Sequence, residues 1–155
     1  MPDLPLKYSM AKKTGAKVYI ETTIPSYLIA RPSRDWLIAE HQQITRDWWE
    51  FRGPQFDLFV SEPVLEEASA GDAILARKRL EVLSDIRVLA LTEGILKLAQ
   101  IPPKAAVDAL HIAVATVYAC EYLLTWNCRH IANAEIQRTA RLEARKRNES
   151  ERRNR

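Results

Sequence analysis

Apolar residues recur along the chain in two alternating rhythms. Short β-branched or aromatic runs at 18–20, 56–60, 86–89 and 122–125 predict strands. The longer stretches between them carry apolar residues three and four apart and predict helices. Residues 24–30 follow Thr22 and Thr23 as available N-caps, with Pro25 in the first turn. Residues 35–51 start at a capping Asp35, with Trp36, Ile44, Trp48 and Trp49 available for the buried side. Residues 63–70 begin after Ser61, a good cap, and end at Gly71. Helical patterns continue over 72–83 and 92–100, over 104–120 after Pro102 and Pro103, and in a charged segment from about Asn133. Strands alternating with helices predict an α/β fold with a central parallel sheet covered by helices on both faces.

In such sheets, ligands sit beyond the carboxyl ends of the strands. Glu21 ends the first strand run, Glu66 and Glu67 lie in the helix after the second, and Asn127 follows the last. Asp108 is the only carboxylate in the apolar stretch 105–120, and a carboxylate carried inward by such a helix needs a partner or a metal. Carboxylates converging from distant segments repel one another unless a cation joins them. Oxygen ligands favour Mg²⁺ or Mn²⁺ over zinc, and such sites serve phosphoryl-group chemistry. The four glycines form neither a phosphate loop nor a dinucleotide fingerprint.

Length and charge narrow the picture further. At 155 residues and 47% hydrophobic, the chain suits one globular core. No apolar run is long enough to span a bilayer, and no export signal is visible, so a cytoplasmic location with reduced thiols is expected. Residues 137–155 hold 8 Lys/Arg against 3 Glu, a net +5, which leaves −2 for the rest of a chain whose total is +3. The basicity is therefore a tail, read either as a solvated helix end or as a phosphate-binding extension.

Four segments together resemble the successive motifs of VapC-type PIN domains: VYIETTIPSYL (18–28), SEPVLEEASAGD (61–72), DALHIAVA (108–115) and YLLTWNCRHIAN (122–133). The resemblance implies a three-layer α/β/α fold with four or five parallel strands over residues 17–136, between an N-terminal extension (1–16) and the basic tail (137–155). It implies an acidic pocket for Mg²⁺ or Mn²⁺ and hydrolysis of RNA phosphodiester bonds by the toxin of a toxin–antitoxin pair. The implied partners are RNA, a cognate antitoxin and a second copy of the chain. Carried over by position, Glu21, Glu67 and Asp108 hold the metal and Asn127 occupies the fourth acidic position. Glu66 competes with Glu67, and Thr23 and Thr125 are the supporting hydroxyls. Glu21 and Asn127 stand where the family often has Asp, and the neutral amide lowers the site charge. That departure supports an alternative, a PIN-fold RNA- or partner-binding protein with weak or no cleavage.

Other features are read more plainly. His111, one helical turn after Asp108, is expected to be a satisfied core histidine. Cys120, Cys128 and His130 fit no zinc spacing. Trp48 and Trp49 point about 100° apart on a helix, one into the core and the other to the surface or a dimer contact. Arg31, Arg34 and Arg129 are candidate phosphate contacts.

Overall fold

A computed structural model describes residues 15–99 and 106–127, with 149, 152 and 153 near the C-terminus. The expectations for 1–14, for the start of the 104–120 helix, for Cys128, Arg129 and His130, and for most of the charged C-terminal segment lie outside the described residues. Strands β1 (Lys17–Ile20), β2 (Asp57–Ser61), β3 (Arg87–Leu89) and β4 (Tyr122–Leu124) form one sheet in the order β3-β2-β1-β4. Every pairing is parallel. Helices α1 (Thr23–Ile29), α2 (Trp36–Asp47), α3 (Glu62–Ser69), α4 (Ala73–Leu83), α5 (Glu93–Ala99) and α6 (Ala106–Val117) flank it. The fold is thus α/β, with four parallel strands among the described residues, consistent with three α/β/α layers. No helix among them is long and apolar enough to cross a membrane.

The sheet order explains where a site can form. From β1 the chain steps to β2 and β3 on one side, then returns through α6 to place β4 on the other side of β1. The order therefore reverses between β1 and β4, and the crevice beyond their carboxyl ends is the natural ligand position. Within β1 the residues alternate between faces, so Tyr19 and Glu21 project to the same side. Tyr19 is fully buried against α6, with its ring centroid 5.8 Å from that of His111.

Local chemistry accounts for the starts of α2 and α4 and for the turn between α3 and α4. Asp35 caps α2 by accepting from the amides of Leu37 (2.9 Å) and Ile38 (3.1 Å). Asp72 caps α4 in the same way through Ile74 and Leu75, both at 3.0 Å. Gly71, at φ +82°, makes the left-handed turn between α3 and α4.

Two expectations are corrected. The 35–51 segment is not one helix: α2 stops at Asp47, and a π-helical turn, Trp48–Arg52, follows. The expected buried side is also wrong in part. Trp36 is 77% exposed and Ile44 is exposed, while Gln42 and Thr45 are buried. Gln42 is drawn inward because its side chain ties down the preceding loop, donating to the Arg31 carbonyl and accepting from the Ser33 amide, both at 3.1 Å. Thr45 accepts from the Trp126 indole at 2.7 Å. Of the tandem tryptophans, Trp49 joins the core and Trp48 stacks on Phe56.

Candidate metal centre

Glu21 is the first residue beyond β1, and its amide still donates to the Leu124 carbonyl of β4. Its side chain is 4% exposed. One oxygen, Oε2, accepts three bonds: from the Thr23 amide (3.0 Å), the Thr23 hydroxyl (2.5 Å) and the Thr125 hydroxyl (2.8 Å). Those hydroxyls are themselves held by β4-side amides, Trp126 N onto Thr23 Oγ1 and Asn127 N onto Thr125 Oγ1, each at 2.9 Å. Two parallel relays thus lock the ends of β1 and β4 onto one carboxylate oxygen. Glu21 also satisfies an amide in the first turn of α1, work that a cap residue normally performs.

Glu67 reaches the same place from α3. Its Oε1 accepts from Thr22 (3.0 Å) and bonds His111 Nε2 (2.6 Å). The competing Glu66 is exposed, with no part in this cluster. Burial alone would raise the Glu67 pKa. The hydrogen bond from His111, the further electrostatic pull of that ring and the Thr22 hydroxyl outweigh it and hold the carboxyl below its ordinary value.

His111 is wholly buried on α6 and engaged at both nitrogens, Nδ1 lying 2.7 Å from the Tyr19 hydroxyl. Tyr19 in turn lies 2.6 Å from Ser61 Oγ. Burial pushes the Tyr19 phenol far up, against the opposing pull of the Ser61 bond, so it stays protonated at any working pH. Ser61 therefore does not cap α3 as expected: its hydroxyl is taken by Tyr19, and Pro63 in the first turn leaves one amide fewer to satisfy. Thr22 likewise gives its hydroxyl to Glu67 rather than to α1.

Ligand atoms of Glu21, Glu67 and His111 all lie within 4.8 Å of one another, close enough to hold a metal ion. At that separation two carboxylate charges repel by about 3 kcal/mol at an effective dielectric of about 20. Each has one oxygen fixed by hydrogen bonds, which leaves Glu21 Oε1 and Glu67 Oε2 outside those bonds.

Asp108 and Asn127 are adjacent to this cluster rather than within it. Asp108, half-buried at the first turn of α6, accepts from Asn127 Nδ2 at 3.0 Å. Asn127 connects back to Glu21 through Thr125. All six residues singled out from the sequence, Glu21, Thr23, Glu67, Asp108, Thr125 and Asn127, are therefore linked, either through the Glu21 relays or across the carboxylate pair. The sequence reading did not anticipate the roles of Tyr19, Thr22 and Ser61. A hydroxyl at or just past a strand end, close in sequence to a glutamate, could have flagged Ser61 and Thr22; nothing local marks Tyr19. Comparison of the chain with family models, curated proteins and solved structures finds no significant match.

Proposed function

We propose that this chain is a Mg²⁺- or Mn²⁺-dependent endoribonuclease of the VapC-type PIN class, the toxin of a toxin–antitoxin pair. The observation that carries the reading is the convergence of Glu21 and Glu67 at the sheet's reversal point, each with one oxygen held and one uncommitted. The donor set fits the ion. The two carboxylates are hard oxygen ligands, suited to Mg²⁺ or Mn²⁺, the third group within reach is the His111 imidazole, and no cysteine takes part among the described residues.

Glu21 and Glu67 would hold the cation, and by the resemblance Asp108 would join them from beside the cluster, with Asn127 next to it. When bound, it would neutralise the clustered carboxylates, polarise a phosphodiester and lower the pKa of water. The rest is done by the chain itself. Thr23 and Thr125 fix the Glu21 carboxylate, and Thr22 and His111 fix Glu67, so little reorganisation remains when a phosphate arrives. Asn127 holds Asp108 in place by donating to it. The PIN-class resemblance further suggests a cytoplasmic homodimer restrained by an antitoxin.

The test is cleavage of a mixed RNA pool by the purified chain with Mn²⁺ or Mg²⁺. Cleavage is expected to vanish with EDTA and to fall at least about 100-fold in Asp108→Asn and Glu21→Gln, the scale of losing a preorganised charge-stabilising group. Folded, metal-loaded protein that cuts no RNA would sink the nuclease reading. One observation favours a second reading, RNA or partner binding without cleavage: the neutral Asn127 spends its amide on Asp108.

A further inference from the structure

Ser61, Tyr19, His111 and Glu67 form a linear array, with contacts of 2.6 Å from Ser61 Oγ to the Tyr19 hydroxyl, 2.7 Å from there to His111 Nδ1, and 2.6 Å from Nε2 to Glu67 Oε1. The elements that supply it are β2, β1, α6 and α3, so the array crosses from the core of the sheet to the acidic cluster. Each contact holds one hydrogen, and the chemistry of the ends fixes where it sits. A carboxylate only accepts, so His111 Nε2 must carry a hydrogen and donate it to Glu67.

The remaining hydrogens can run in two directions. With Nδ1 bare, Tyr19 donates to the ring and Ser61 donates to Tyr19, and every hydrogen has an acceptor. With Nδ1 protonated, Tyr19 must accept from the ring and donate to Ser61. The Ser61 hydrogen then has no acceptor among the described residues, although Ser61 is fully buried. An orphaned buried donor is costly, so the first direction wins.

We propose that His111 is a positioning residue for Glu67, donating from Nε2 and accepting at Nδ1, and stays outside the ligand set of the cation. A ring nitrogen that bears hydrogen has no in-plane lone pair for a metal, so proximity alone does not make His111 a ligand. Its work is to hold Oε1 and leave Oε2 for the ion. Tyr19 and Ser61 act one step further back, as the lock on the tautomer. This is outer-sphere support of the kind that tunes metal affinity through a ligand's orientation. The inference rests on reading Glu21 and Glu67 as a cation site.

Two measurements on the full chain test it. Long-range ¹H–¹⁵N spectra of ¹⁵N-histidine-labelled wild type are expected to show His111 with a protonated Nε2 and a bare, acceptor-type Nδ1, before and after Mg²⁺ is added. A hydrogen on Nδ1 in either state, with or without one on Nε2, overturns the proposal, and this readout needs no variant to fold. Mn²⁺ titration by calorimetry then compares His111→Gln, which keeps a donor near the Nε2 position, with His111→Leu, which removes it. The Gln variant is expected within about threefold of wild type, and the Leu variant weaker by about 10-fold or more. Equal losses in both variants would make His111 a ligand and overturn the proposal. A wild type that binds no Mn²⁺ would instead overturn the metal reading, while a protonated Nε2 with a bare Nδ1 in the spectra would leave the tautomer standing.

Discussion

At the scale of single residues, the acidic cluster is held by hydroxyls diverted from ordinary duties. Thr22, Thr23 and Ser61 stand at helix starts, where short-range rules assign them to capping, yet none caps its helix through its side chain. Glu67 gains most from this arrangement, and its depressed pKa has a consequence for stability. A carboxyl whose pKa is lower folded than unfolded stabilises the fold fully above its unfolded value, near 4.5, and loses that contribution as pH falls through the folded value. Urea unfolding of wild type and Glu67→Gln in EDTA should therefore show a stability gap at neutral pH that narrows on acidification below about 4.5. A gap independent of pH would mean that the His111 and Thr22 bonds do not favour the charged form. The positions of Glu21 and of the Glu66–Glu67 pair were legible in the sequence because strand ends in parallel sheets mark ligand sites, and the resemblance favoured Glu67 of the two. The partners of Thr22, Ser61 and Tyr19 were not, because each hydroxyl bonds a residue more than 40 positions away, beyond the reach of a local rule.

Among the elements, alternation of period read the strands within a residue or two, since β-branched runs and strand pairing coincide. It failed on α2, where counting apolar positions cannot register that the Gln42 amide is needed inside to hold the 31–33 backbone. The end of α6 shows a different tension. Ala119 sits at φ 53°, a left-handed conformation that disfavours any residue with a Cβ. It is held there by a helix-ending pair of bonds, the Cys120 amide to the Ala115 carbonyl at 2.9 Å and the Ala119 amide to the Thr116 carbonyl at 3.1 Å. The turn delivers the chain straight to the start of β4, just before which the Glu121 amide meets the Lys17 carbonyl at 2.9 Å. Glycine would keep these bonds without the steric cost. Ala119→Gly is expected to raise stability by about 0.5–1 kcal/mol even after its larger unfolded-state entropy, and Tm by about 2–3 °C. An unchanged or lower Tm in thermal melts would mean that the positive φ is not a strained one.

Across the whole molecule, the acidic site is a product of topology. Glu21, Glu67, Asp108 and Asn127 come from segments spread over more than 100 residues, and they meet because β4 returns to the free side of β1. A sheet that gathers like charges at one end is opposed there by their repulsion, and a bound cation relieves it. Folding and metal binding should then be linked. A cation that binds the native chain alone stabilises it by about 2.7 kcal/mol at 100 times its dissociation constant, which for a chain of this size is a Tm rise of about 5–10 °C. Thermal melts of wild type with excess Mn²⁺ or Mg²⁺ should show that rise, and EDTA should return the melt to its starting value. Glu21→Gln and Glu67→Gln should each lose most of the shift, because each removes a charged ligand. In metal-free buffer Glu21→Gln should melt no lower than wild type by more than its lost hydrogen bonds explain, since it also removes one of two repelling charges. A wild-type melt indifferent to both ions, with metal-free Glu21→Gln destabilised by more than its lost hydrogen bonds explain, would make the cluster a structural hydrogen-bond network and leave the proposed ribonuclease without its centre.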